Sequence, residues 1–220
     1  MIRARVRDHL IDILYPSECV VCGTDFVLPV CTACFRELAA AAHAPGRGAG
    51  KDPGRIPRDA WRAAGEYDGP LRDMVLAFKD GQKRLASPLA ALMAVSGGND
   101  PEYLRPDVIC FVPSTAAKLR KRGYNPAGLL AGELGGLLGR PVSNALKIVR
   151  EVSDQGSLNA HERRRNVDGA FGARRRAMPA GRILLVDDVL TTGATARECA
   201  RVLLENGACS VRISVCARAG

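Results

Sequence analysis

Aromatic residues are scarce in this sequence, and Phe, Trp and Tyr together make up only 5% of its 220 residues. A core must therefore consist of Leu, Val, Ile and Ala, and a surface of many stacked aromatic rings is not expected. No stretch approaches the roughly 18–20 uninterrupted apolar residues of a membrane span. The charged start of the chain also lacks the apolar segment of a signal peptide. We therefore expect a cytoplasmic protein without membrane insertion.

Two common nucleotide-binding motifs are also missing. The chain contains neither the GxxxxGK[ST] sequence of a P-loop nor a GxGxxG sequence after a strand. Its length allows one domain with a small appendage, and 47% hydrophobic residues can fill a core. The net charge is +9, with basic clusters at 118–122, 163–165 and 174–176. These clusters are compatible with a nucleic-acid surface, a polyphosphate site or a solvated face.

Residues 183–195 carry the strongest functional signal. The apolar run from Ile183 to Val186 predicts a strand that is buried on both faces of a parallel sheet. Two carboxylates, a turn of small residues and a helical pattern from about Ala194 to Glu205 follow. Carboxylates accept hydrogen bonds from ribose hydroxyls, and a helix start offers N–H groups and partial positive charge to a phosphate. A sugar-phosphate site is therefore predicted at Asp187, Asp188, Thr191, Thr192, Gly193, Ala194 and Thr195. A strand end and helix cap without function is the alternative.

Four of the eight cysteines form two C-x-x-C pairs, Cys19–Cys22 and Cys31–Cys34, with eight residues between them. Four thiolates at this spacing predict a closed tetrahedral zinc site, which is structural because no position is left for water. Disulfides conflict with the expected compartment, and the βαβ context of a redox C-x-x-C is absent. Buried, small hydrophobic roles are predicted for the single cysteines Cys110, Cys199, Cys209 and Cys216.

The order of the predicted elements indicates the fold class. Residues 1–15 have the spacing of an amphipathic helix, and residues 43–58 have the Gly- and Pro-rich composition of a linker. We therefore divide the chain into residues 1–58 and a domain at 59–220. In that domain strands at 61–67, 108–112, 183–186 and 210–216 alternate with helices, which predicts an α/β fold with a parallel sheet. The polar residues 150–169 are expected to form a long functional loop or hairpin.

Several short motifs also occur in order along nearly the whole chain. They are the two cysteine pairs, Tyr67-Asp-Gly-Pro-Leu-Arg, Phe78-Lys79, Val112-Pro113, Arg120-x-Arg122-Gly-Tyr-Asn125, Gln155-x-x-Leu, Arg163-x-x-Asn166-Val and the signature at 187–195. With these motifs the sequence resembles the ComF/GntX family of competence-related proteins, which are similar to type I phosphoribosyltransferases. The resemblance implies that the ligand is phosphoribosyl pyrophosphate (PRPP) or a related phosphoribosyl compound.

The resemblance also assigns roles to residues. Asp187 and Asp188 would hold the ribose hydroxyls, and the turn from Thr191 to Thr195 would wrap the 5′-phosphate. The pyrophosphate would lie against Pro113, Ser114 and Thr115, and its departing charge would be neutralised by Lys118, Arg120 and Arg122, with Arg163 or Arg165. The mobile loop of the family would contain Gln155, Arg163 and Asn166. Mg²⁺ would bridge pyrophosphate and ribose oxygens.

Two departures from the family pattern keep the function open. Thr191 occupies the position at which oxopurine enzymes carry an acid, so no acceptor-side acid or base is visible. Longer relatives have further cysteine pairs where this chain has its linker, so one zinc is expected rather than two. The first hypothesis is a phosphoribosyltransferase that uses a nitrogen acceptor. The second is a non-catalytic competence adaptor that binds single-stranded DNA or a competence protein through its basic face, where Tyr124 is the aromatic residue beside a basic run.

Overall fold

The structure is a computed structural model, and it describes residues 18–42, 60–150, 167–174 and 177–219. The predicted N-terminal helix at 1–15 and the predicted linker at 43–58 lie outside these residues. Most of the predicted loop at 150–169 also lies outside them. The proposed division of the chain at residue 58 therefore stays a prediction.

Five parallel strands form the central sheet, and a separate pair of antiparallel strands forms a hairpin. The sheet strands are β1 (Trp61–Glu66), β2 (Val108–Phe111), β3 (Val142–Ser143), β6 (Gly181–Leu190) and β7 (Ala208–Arg218). The hairpin pairs β4 (Leu146–Ile148) with β5 (Phe171–Ala173). The order in the sheet is β1-β7-β6-β2-β3, so β6 is central and β1 is at an edge. The predicted parallel α/β fold is confirmed.

Seven helices are described: α1 (Thr32–Ala42), α2 (Gly69–Lys79), α3 (Ala86–Ser96), α4 (Pro101–Leu104), α5 (Ala116–Arg122), α6 (Pro126–Leu138) and α7 (Ala194–Glu205). Proline occupies the first turn of α2, α4 and α6, where its missing N–H removes no helical hydrogen bond. A 3₁₀ turn at Lys83–Leu85 leads directly into α3.

Strand β6 contacts a hydrophobic core on each face of the sheet. Leu184 and Val186 pack into the core that contains α2, α3 and α6. Ile183 and Leu185 point the other way, into the core formed with α7 and the β4–β5 hairpin. Successive side chains of a strand point to opposite faces, so burial on both faces requires a continuously apolar run. The prediction made for Ile183 to Val186 is confirmed.

The cysteine-containing segment packs onto the same core as the sheet. Cys19, Val30 and Ala42 are buried together with side chains of α2 and α3. Arg84 also donates a hydrogen bond from Nη2 to the Val27 carbonyl at 2.7 Å. The cysteine pairs are therefore fixed to the domain through apolar burial and at least one hydrogen bond.

Two sequence predictions need correction. Cys209 is exposed, unlike Cys110, Cys199 and Cys216, which are buried as predicted. The pairing of β6 with β7 passes from Gly181–Ala208 directly to Arg182–Ser210, which leaves Cys209 as the extra residue of a bulge. Strand β6 also continues to Leu190, so the two aspartates lie within the strand and do not follow it.

Candidate phosphoribosyl site

Asp187 and Asp188, called here the acid pair, lie in the last part of β6. Both side chains are half-buried, and the Asp188 N–H donates a hydrogen bond to Asp187 Oδ1 at 2.9 Å. Burial and the neighbouring Asp188 carboxylate raise the pKa of Asp187 to about 7. Burial in a low-dielectric site disfavours the charged form, and a second carboxylate adds repulsion. The ionised form of Asp187 is therefore disfavoured, and a hydroxyl-rich or cationic ligand can stabilise it.

Lys79 supplies a counter-charge to the acid pair from the end of α2. Its Nζ lies 3.0 Å from Asp188 Oδ1, and both side chains are only 18% exposed. The Lys79 charge also lowers the pKa of Asp187 against the larger effects that raise it. Sequence reasoning placed Lys79 in a family motif but assigned it no role. The signal was available, because Lys79 is the only charged residue of the Phe78-Lys79 motif.

The position of Lys79 is fixed by Tyr124, which lies between α5 and α6. The Tyr124 hydroxyl donates a hydrogen bond to the Phe78 carbonyl, and the two rings lie 5.8 Å apart between centroids. Lys83 Nζ also lies over the Tyr124 ring, 5.1 Å from the ring centroid. Tyr124 is buried. It therefore connects the end of α2 to the basic helix α5, and does not offer an exposed ring for stacking.

The turn after β6 leads directly into α7. Gly193 has a φ of 68° and is the residue before α7, a left-handed conformation that favours glycine. The Thr192 hydroxyl accepts a weak hydrogen bond from the Ala194 N–H at 3.4 Å. No side chain of the described residues caps α7 at Gly193. The first turn of α7 thus presents N–H groups and the positive end of the helix dipole.

The segment after β2 faces the acid pair across the sheet edge. Asn125 donates from Nδ2 to the Val112 carbonyl at 2.9 Å, and its Oδ1 accepts a hydrogen bond from Ser114 Oγ at 3.1 Å. Thr115 caps α5 by accepting from the Lys118 N–H at 3.3 Å. Parallel strands β2 and β6 are neighbours, so the segments that follow them meet at one edge. Asn125 orients this segment and was not assigned a role from the sequence.

A cavity of about 220 Å³ lies where these parts meet, and we call it the small cavity. Its charged lining consists of the acid pair with three cations: Lys79, Lys118 and Arg122. Its neutral lining includes Pro113, Ser114, Thr115, Asn125 and Thr195. The structure thus brings together most of the predicted site residues. Thr191, Thr192, Gly193 and Ala194 form the adjoining turn without lining the small cavity.

Other predicted site residues lie elsewhere. Arg120 lines a larger neighbouring cleft and not the small cavity. Gln155, Arg163, Arg165 and Asn166, predicted for the mobile loop, lie outside the described residues. The two ends of that loop are joined, since Val149 N–H donates to the Ala170 carbonyl at 2.9 Å. The carboxylate of Glu198, on α7, accepts from the Gly169 N–H at 2.9 Å, which fixes the end of the loop to the helix of the predicted phosphate turn.

The four cysteines of the two C-x-x-C pairs converge. The Sγ atoms of Cys19, Cys22, Cys31 and Cys34 all lie within 4.8 Å of one another. A tetrahedral zinc–thiolate centre needs sulfur atoms about 3.8 Å apart, which follows from Zn–S bonds of about 2.3 Å. The Sγ atoms of Cys22 and Cys31 are 3.8 Å apart. Hydrogen bonds with Thr24 lower the pKa of Cys22 to about 6, which favours the thiolate that a metal requires. The group can therefore hold a metal ion.

Among the described residues, no helix is long and apolar enough to cross a membrane. The predicted cytoplasmic location stays a prediction.

Comparison with known proteins gives the family. A family described as "Phosphoribosyl transferase domain" matches residues 119–220. Competence protein F of Haemophilus influenzae is 32% identical over 198 residues, covering 87% of this chain and 85% of that protein. The DNA utilization protein YhgH of Escherichia coli K12 is 33% identical over 155 residues and covers 67% of each chain. Orotate phosphoribosyltransferase from Aeropyrum pernix aligns with a TM-score of 0.40 at 20% identity, covering 67% of this chain and 76% of that one. The chain therefore belongs to the ComF family of competence-related, phosphoribosyltransferase-like proteins.

Proposed function

We propose that this protein binds PRPP in the small cavity and transfers its phosphoribosyl group to a nitrogen acceptor. The acceptor nitrogen would attack C1 of the ribose and form a C1–N bond. The C1–O bond to pyrophosphate would break, and pyrophosphate would leave with the electron pair. The acceptor N–H would lose its proton to solvent or to the departing pyrophosphate. The observation that carries this proposal is the meeting of the acid pair, Thr195 in the first turn of α7 and the segment after β2 around one cavity.

The acid pair suits the ribose. Two ionised carboxylates act only as hydrogen-bond acceptors, and the adjacent hydroxyls of a ribose are donors. Lys79 forms a 3.0 Å ion pair with Asp188, which holds this carboxylate in place as an acceptor before the ligand arrives. Hydroxyl donors would then also favour ionisation of Asp187. The 5′-phosphate would lie at the first turn of α7, beside Thr195, where N–H groups and the helix dipole stabilise an anion.

The opposite wall suits the pyrophosphate. Lys118 and Arg122 line the small cavity beside Ser114 and Thr115. Cations that face the position where leaving-group charge develops stabilise the transition state more than the ground state. When bound, Mg²⁺ would neutralise the pyrophosphate oxygens. The residues present are compatible with Mg²⁺, which prefers phosphate oxygens and water to a cage of protein ligands.

A calorimetric titration of PRPP with Mg²⁺ tests binding. We expect the wild type to bind, and a variant with Asp187→Asn and Asp188→Asn to lose at least about tenfold in affinity, because charge-assisted hydrogen bonds to the ribose disappear. Asp73→Asn is the matched control, since its exposed carboxylate lies on the outer face of α2. Equal PRPP affinity in the wild type and the double variant would remove the proposal.

The transfer reaction has a separate test. Release of pyrophosphate from PRPP would be measured with nucleobases, ammonia and nucleotides as acceptors, in the wild type and in Lys118→Met. PRPP binding without release in any mixture would retain the binding half of the proposal and reject the transferase half. No positioned base is needed if the acceptor is already an amine or carries an acidic N–H, which is the acceptor that we propose.

A non-catalytic competence adaptor is the second candidate. Two observations favour it: the exposed cations of α5, and the names of the relatives, which refer to competence and to DNA utilization. Binding of single-stranded DNA through these cations would weaken steeply with salt. Measured affinity for single strands that is insensitive both to salt and to the Arg120→Ala, Arg122→Ala pair would reject the DNA-binding version of this candidate.

We further propose that the four-cysteine group holds one structural zinc ion. All four positions would be occupied by thiolates, so no site is left for water or substrate. Metal analysis of the purified full chain should give about one zinc per molecule.

A further inference from the structure

A second and larger concavity lies on the other side of the segment that follows β2. We call it the large cleft, and its volume is about 1220 Å³. It is bounded by the start of α5, the start of α6 and the β4–β5 hairpin. Binding sites for small molecules commonly have about 300–1,000 Å³. The large cleft therefore has room for a second ligand, distinct from one that occupies the small cavity.

The charge of the large cleft is of one sign. Four cations line it, one from α5 and three from the hairpin region: Arg120, Lys147, Arg150 and Arg174. No Asp or Glu of the described residues lines it. Two of the cations are held in place, because Arg150 Nη2 donates to the Asp168 carbonyl at 2.7 Å and Arg174 Nε donates to the Leu146 carbonyl at 3.1 Å. A group of cations with no acid beside it in the described part of the cleft is complementary to an anion.

The large cleft also has an apolar part. Phe111, Leu129, Ile148 and Val149 line it, and Val149 is 55% exposed. Gly128 lies beside the Phe111 ring, and a Cβ at this position would be 3.4 Å from Phe111 Cε2. The absence of a side chain at Gly128 therefore leaves this part of the ring open to the cleft. Asn144 adds an amide, which can both donate and accept hydrogen bonds.

We propose that the large cleft binds a nucleotide, with its phosphate against the cations and its base on the apolar surface beside Phe111. Inorganic phosphate would use the cations but not the apolar surface, and an uncharged apolar ligand would use the apolar surface but not the cations. A nucleotide combines an anion, a flat apolar face and a polar edge. This proposal goes beyond PRPP binding and stands without it, because no residue of the acid pair lines the large cleft.

Two substitutions separate the phosphate contact from the base contact. Lys147→Glu reverses one exposed charge of the large cleft, and Lys121→Glu makes the same change on α5 outside it. Gly128→Leu places a side chain against the Phe111 ring. Gly132→Leu is its control one turn further along α6, at an exposed position where a Cβ meets no atom within 4 Å. Both leucines replace glycine within a helix, a change that favours helix formation.

The experiment is calorimetry on the full chain with adenosine monophosphate, adenosine and inorganic phosphate. We expect the monophosphate to bind at least about tenfold more tightly than the other two probes, since only it uses both parts of the large cleft. Lys147→Glu and Gly128→Leu should each weaken its binding by about tenfold or more, and each control by less than about twofold. Asp187→Asn should leave nucleotide affinity unchanged, which separates this proposal from PRPP binding.

A short single strand of adenylates identifies the source of the nucleotide. Tighter binding of the strand than of the monophosphate, lost in both Lys147→Glu and Gly128→Leu, would assign the large cleft to a nucleotide within a strand. If the monophosphate binds at least as tightly as the strand, the large cleft is assigned to a free nucleotide. Adenosine monophosphate that binds no better than inorganic phosphate would overturn the proposal. So would control variants that weaken binding as much as the cleft variants.

Discussion

Replacement of Asp187 by Asn should stabilise the fold at neutral pH while it removes PRPP binding. The Asp187 carboxyl is half-buried beside a second carboxylate, and its pKa is raised to about 7 from an ordinary value of 3.8. At pH values between 3.8 and about 7, Asp187 keeps its proton in the folded chain and has released it in the unfolded chain. Stability therefore falls as pH rises through this window and levels off above it. Asn has no charge to bury, and its Oδ1 can still accept the hydrogen bond from the Asp188 N–H.

The size of the effect follows from the two pKa values. Each pKa unit corresponds to about 1.36 kcal/mol, so the full difference is at most roughly 4 kcal/mol above neutral pH. The Asp187 side chain is not fully enclosed, and water and Lys79 both stabilise its charge. We therefore expect Asp187→Asn to raise the free energy of unfolding by about 2 kcal/mol at about pH 8, and by less at about pH 5.

Urea unfolding of the full chain at these two pH values is the assay. Asp73→Asn is the control, because its carboxylate is 63% exposed and forms only a surface ion pair with Arg72. A stability difference for Asp187→Asn that is the same at both pH values would refute the reasoning, as would a variant less stable than the wild type at about pH 8. Gain of stability together with loss of ligand binding is the pattern expected of a site selected for function.

Three further predictions concern the neighbours of the acid pair and the cysteine group. Lys79→Met should weaken PRPP binding by about tenfold and raise the pKa of Asp187 in an NMR titration, whereas Lys121→Met should do neither. Tyr124→Phe should lower the free energy of unfolding by about 1 kcal/mol, measured in urea, because the hydrogen bond to the Phe78 carbonyl is lost. Cys34→Ser should remove zinc from the purified protein and lower its melting temperature, and retention of one zinc would contradict the four-thiolate site.

Local patterns predicted the main elements of the domain well. The apolar run that begins at Ile183 and the helical pattern at Ala194–Glu205 fixed the central strand and α7, and the described helix has those bounds. These predictions succeeded because burial on both faces and helical periodicity each produce a pattern within a short stretch of consecutive residues. Strand β5 was not predicted, because a three-residue strand formed by Phe171–Ala173 has too few residues to show a period.

The parts of the site that depend on contacts between distant residues were harder to predict from the sequence. Lys79 reaches Asp188 only because α2 packs on the sheet and Tyr124 holds its end. Nothing within the Phe78-Lys79 motif states which carboxylate it will meet. The separation of Arg120 from Lys118 and Arg122 has a local origin instead. Consecutive helical positions differ by about 100° in direction, so neighbours in a basic run face different cavities.

The small cavity and the large cleft share part of their lining, including Ser114, Thr115 and Asn125. These residues therefore form a wall between the two concavities. Any occupant that shifts the Ser114–Asn125 hydrogen bond alters the wall for the occupant on the other side. Such an influence is reciprocal. If one ligand changes the dissociation constant of the other, it is itself affected by the same factor. With both proposed ligands, the measured affinity for one would therefore depend on the concentration of the other.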